Sequence, residues 1–94
     1  MNFRRILLDV DKAVEHPSLL EVAAPIERVP GVQGMDIAVT EIDIETVGTH
    51  VTVKGKNIDY EALIKAFEST RAILHSIDEL VVGDQLVEQA KRRR

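Results

Sequence analysis

The sequence predicts an α+β domain in which a four-stranded antiparallel sheet carries two helices on one face. Three observations lead there. Four segments are strand-like, at residues 3–12, 32–44, 49–54 and 72–82. Two helical segments with recognisable N-terminal caps separate them, one after His16-Pro17-Ser18 and one after Asp59. The middle two strands follow one another through a short turn, so the order is β-α-β-β-α-β.

In the first strand, FRRILLDVDK, Ile6, Leu8 and Val10 share one face, and Phe3, Arg5, Leu7, Asp9 and Asp11 share the other. Both faces are partly apolar, which suits a central strand. Pro17 fits a first helical turn, and Ser18 with Glu21 has capping-box spacing. The helix is expected to run to about Val29, with Leu19, Leu20, Ala23, Ala24 and Ile26 buried and a bend at Pro25, which lacks a backbone donor. Pro30-Gly31 stops it.

The second strand sends Met35, Ile37 and Val39 one way, but beyond Thr40 the apolar parity passes to Ile42 and Ile44. Two physical readings are open: a β-bulge, or an arm that outruns the helix layer. Thr46, Val47 and Gly48 are expected to form the turn, and Thr49, Val51 and Val53 alternate with His50, Thr52 and Lys54 in the return strand. Asp59 is the expected cap of the second helix, with Ile58 and Leu63 as a hydrophobic staple. The last strand closes on Leu80-Val81-Val82, which does not alternate.

With right-handed crossovers this order is the ferredoxin-like βαββαβ sandwich, strand order 4-1-3-2, formed by residues 1–83. Residues 84–94 make a basic C-terminal tail ending in Lys91, Arg92, Arg93 and Arg94. The topology gathers Asp9, Asp11, Glu41, Asp43, Glu45, His50, His75 and Asp78 at one end of the sheet.

Composition excludes several classes of function. The 94 residues contain no cysteine, which removes disulfides, thiolate metal sites and cysteine nucleophiles. A net charge of −4 disfavours nucleic acid as the main partner, and the return strand THVTVKG lacks the aromatics on which RNA bases stack. No stretch approaches the ~18 apolar residues of a membrane span. The expected location is the cytoplasm, with no membrane partner.

The run GVQGMDIAVTEIDIETVGTHVTVKGKNIDYEAL, preceded by FRRILLDVDKAVEHPSLLEVA and followed by AILHSIDELVVG, resembles the archaeal family catalogued as domain of unknown function 211. The resemblance covers residues 3–83, and LLDVDK, EIDIET, GKNIDYE and LHSIDE are its most specific pieces. It implies a ferredoxin-like subunit of a ring-like homo-oligomer with bound calcium, and no established activity.

The residues themselves make Asp9, Asp11, Glu41, Asp43 and Glu45 the candidate metal ligands. Alternate residues on a strand are ~6.6 Å apart, so Asp43 can share one ion with Glu41 or Glu45. Oxygen-rich ligands favour calcium or magnesium, and the remaining ligands would come from waters, carbonyls or a neighbouring subunit. The alternative is a solvated acidic face that guards an exposed edge against aggregation. His50 and His75 are read as surface residues, because zinc would need more nitrogen or sulfur ligands than the two offer. No nucleophile motif accompanies His75 and Asp78, so no enzyme is expected. The leading reading is a non-enzymatic homo-oligomer with an acidic hairpin arm. The alternative is an ACT-like regulatory domain that binds a small metabolite between subunits.

Overall fold

A computed structural model describes residues 1–85. The elements are β1 (Phe3–Ala13), α1 (Leu19–Glu27), β2 (Val32–Ile42), β3 (Thr46–Gly55), α2 (Tyr60–Ser69) and β4 (Ile73–Val82). They form one antiparallel sheet in the order β2-β3-β1-β4, as expected for the ferredoxin-like arrangement. Beyond Asp84 and Gln85, the expected basic tail lies outside the described residues.

The core follows from strand alternation. Ile6, Leu8 and Val10 of β1 and Val51 and Val53 of β3 are buried in one cluster with Val22 and Ile26 of α1 and Leu63 and Phe67 of α2. Both helices therefore cover the same face. Each such aliphatic side chain contributes roughly 1.5–3 kcal/mol on burial.

Helix α1 starts as expected. Glu21 N–H donates to Ser18 Oγ at 3.1 Å, and Ser18 N–H donates to Glu21 Oε1 at 2.8 Å. Pro17 stands before this cap rather than in the first turn. The helix ends two residues earlier than expected: Arg28 N–H donates to Pro25 O and Val29 N–H to Ile26 O, tight closures that finish it before Pro30. Its buried residues are Val22 and Ile26, with Val29 buried just beyond its end, so Leu20, expected inside, is 81% exposed, and Ala24 also faces outward. In α2, Asp59 Oδ1 accepts from Ala62 N–H at 3.1 Å, and the staple residues Ile58 and Leu63 are both in the core.

The parity switch in β2 is a bulge. Val39 pairs with Thr49 and Glu41 with Gly48, leaving Thr40 as the extra residue. Ile42 then faces Val47, which is 7% exposed. The turn is consequently residues 43–45, not Thr46-Val47-Gly48: Asp43 N–H donates to Thr46 O at 2.8 Å, and Ile44 N–H to Asp43 Oδ1 at 2.8 Å. Phe3 also departs from expectation. A register shift between Phe3 and Arg5 turns its ring onto the helix side, where it stacks on Tyr60 with centroids 5.4 Å apart.

Two glycines are required where β2 begins. Gly31 has φ +92 and its carbonyl accepts from Lys56 N–H at 3.0 Å, while a Cβ on Gly55 would overlap that same carbonyl. Gly55→Ala should lower the unfolding free energy by more than about 1 kcal/mol, read as an earlier urea midpoint, because backbone rather than a flexible side chain must give way.

The Ser18 N–H and then His16 hold the Glu21 carboxyl below its usual value of 4.5. The unfolded chain therefore binds the proton first, so this contribution is complete above pH 4.5 and is lost as pH falls through the folded value. Glu21→Gln should flatten the acid limb of a stability–pH curve, and Ser18→Ala should lose about 1 kcal/mol near neutrality by chemical denaturation.

Candidate metal centre on the open sheet face

The face of the sheet away from the helices is built from the odd residues of β1. Across it, Asp9 lies between His50 of β3 and Ser76 of β4, and Asp11 lies opposite Gly48 of β3, which in turn faces Glu41 of β2. Strand β4 is bulged twice here. Leu7 pairs with Glu79 and Leu8 with Ile77, so Asp78 is extra; Asp9 pairs with Ser76 and Val10 with Leu74, so His75 is extra. Bulges of this kind re-aim side chains, and both extra residues reach over the open face.

The result is a compact group. Ligand atoms of Asp9, His50 and Asp78 all lie within 4.8 Å of one another. Ser76 Oγ donates to Asp78 Oδ1 at 2.7 Å and so orients that carboxylate. One row further on, His75 Nε2 lies 2.8 Å from Asp11 Oδ2. Asp9 is half-buried, whereas His50 and Asp78 are exposed.

Of the candidate ligands expected from the sequence, Asp9 belongs to this group. Asp11 is engaged with His75 instead. Glu41 joins the same face because the Thr40 bulge resets its parity; a Cβ on Gly48 would sit 3.5 Å from Glu41 Cβ and 3.6 Å from Asp11 Oδ1. Asp43 and Glu45 lie in the turn, so the alternate-residue spacing that would let Asp43 share an ion with its neighbours does not apply to them.

Topology puts His50 and Asp78 at this end of the sheet, but simple alternation does not mark them as ligands. The missed signal is the spacing of Leu74, Ile77 and Leu80. These pair with Val10, Leu8 and Ile6, which advance two residues at a time while β4 advances three. An apolar interval of three in a strand marks one extra residue per step.

No helix among the described residues is long and apolar enough to cross a membrane. The fold and face define a ferredoxin-like α+β domain with an acidic, histidine-bearing sheet surface. The profile of the uncharacterised ArCR family, domain of unknown function 211, matches residues 4–94, and the chain belongs to that family. It is similar to an uncharacterised protein of Methanocaldococcus jannaschii, 36% identical over 88 residues, covering 94% of this chain and 90% of the relative.

Proposed function

We propose that this chain is a non-enzymatic, cytoplasmic homo-oligomeric subunit that binds a divalent cation on its open sheet face. The carrying observation is the meeting of Asp9, His50 and Asp78 within 4.8 Å. Two carboxylates and one imidazole suit ions that accept nitrogen with oxygen, such as manganese or zinc. Calcium or magnesium would use the carboxylates alone, completed by water or a neighbouring subunit, since calcium takes about six to eight oxygens. Ser76 supports the reading by orienting a ligand from outside, as metal sites require.

Assembly draws on the hairpin tip, where Ile42 is 75% and Ile44 90% exposed. The open face offers less apolar surface, because Phe3 is packed beneath the sheet and Ile42 has the parity of the helix side. A tip of this kind gains by burial against another copy, and the edge strands β2 and β4 offer unpaired backbone groups beside it.

Titration calorimetry with manganese, zinc, calcium and magnesium tests the cation site. Asp78→Asn should weaken binding about tenfold or more, roughly 1.4 kcal/mol, while Asp43→Ala leaves it unchanged. His50→Ala should weaken zinc and manganese but spare calcium. Equal losses from Asp43→Ala would return the site to the hairpin turn. For assembly, the chain should sediment as an oligomer at micromolar concentration and Ile44→Glu should disperse it, because an unpaired carboxylate costs several kcal/mol in an apolar contact. A monomeric wild type would refute this part.

A further inference from the structure

The other end of the open face carries the opposite charge. A cavity of ≈ 210 Å³ is lined by Arg4, Arg5, Gln33, Lys54 and Gly55. Successive strand residues ordinarily point to opposite faces, but the register shift between Phe3 and Arg5 lets Arg4 and Arg5 line one cavity. A second shift, between Val32 and Gly34, brings Gln33 to the same rim.

The basic groups are under-compensated. Glu79 is the one carboxylate paired here among the described residues: its Oε1 lies 3.3 Å from Arg5 Nε, and its Oε2 accepts from Arg5 Nη2 at 3.3 Å. Among the described residues, Arg4 Nη1 donates to the carbonyls of Gly83, at 3.4 Å, and Asp84, at 2.9 Å, and to no carboxylate. The Nε atoms of both arginines are shielded from solvent and have no aligned hydrogen-bond acceptor among the described residues. Lys54 stands directly opposite Arg5 in the β1–β3 register, an arrangement of like charges that opposes strand pairing. Among the described residues, three cations against one carboxylate leave two positive charges around a small cavity, in a chain whose net charge is −4.

We infer that this pocket binds a phosphate group, as the free anion or as the end of a small phosphomonoester. Each guanidinium keeps nitrogens beyond those engaged by Glu79 or by the Gly83 and Asp84 carbonyls as donors to oxyanion oxygens, and the lysine adds a point charge. A dianion would neutralise the local excess and relieve the Arg5–Lys54 repulsion. The site is separate from the acidic group on the same face and does not depend on it.

Thermal unfolding of the full chain tests the inference, with inorganic phosphate, glycerol phosphate and sodium chloride compared at matched ionic strength. A ligand of the folded state raises the midpoint as its concentration grows. Phosphate should stabilise beyond chloride, and a larger shift with glycerol phosphate would identify the phosphomonoester as the source. Lys54→Met should raise the midpoint without ligand, by removing the like charge, yet weaken phosphate about tenfold or more in calorimetry. That pair of opposite effects is not expected of a purely structural lysine. Arg4→Gln should weaken phosphate likewise, and the lysine variant keeps the test valid if Arg4→Gln fails to fold.

Lys65→Met, on the exposed surface of α2, should leave the phosphate response intact. Three results would overturn the inference: no shift beyond chloride, equal losses from Lys65→Met, or an unchanged phosphate affinity in Lys54→Met. Dispersal of the oligomer by Lys54→Met with phosphate affinity preserved is one form of the last, and would assign the basic cluster to a second copy of the chain.

Discussion

The structure depends on the pairing of β1 with β3. From Arg5 to Ala13 the two strands match residue for residue, without a register shift. That uninterrupted ladder sends Ile6, Leu8 and Val10 to the helices and Arg5, Leu7, Asp9 and Asp11 to the open face. A slip of one residue would put three carboxylates or guanidiniums into the core, so the register is strongly specified by burial. Apart from the extra residue Arg4 at the start of β1, the irregularities fall on the outer strands, where β2 and β4 adapt to this fixed centre with bulges.

Those bulges distribute the chemistry. Each extra residue lets a polar group join a face that simple alternation would deny it. His75 and Asp78 reach the acidic end through β4, Glu41 returns to it through the shift at Thr40, and Arg4 meets Arg5 at the basic end. The open face is therefore polarised along β1, from Arg5 and Lys54 at one end to Asp9 and Asp11 at the other. Separating the two signs prevents the acids and bases from simply neutralising one another. It leaves charge of one sign gathered at each end of the face.

The helix side follows a different rule, in which close approach limits the choice of residue. Gly31 and Gly55 bring the start of β2 against the β3–α2 connection at a separation that admits no side chain. Lys12 is buried at the far end of β1, and its Nζ donates to the carbonyls of Ala13 and Val14 at 2.9 and 3.0 Å. The charge is thereby kept hydrogen-bonded where it leaves water, as a buried ammonium must be.

The sequence by itself determined the element order, the strand order, the core face of β1 and β3, and the caps at Ser18 and Asp59. All of these rest on local rules: period-two or helical alternation, capping spacing and the handedness of crossovers. It also determined that the acids and two histidines gather at one end of the sheet, because topology alone assigns strand ends. Unbroken alternation places Asp43 on a strand and Phe3 on the open face, and the register shifts at Thr40 and Arg4 break that alternation. Which carboxylates meet an imidazole, where the hairpin turns and which cations line one cavity were decided only by tertiary structure. The reason is that a bulge is a relation between two strands: its location depends on what the straight central strand offers opposite, and no single strand's pattern contains that partner.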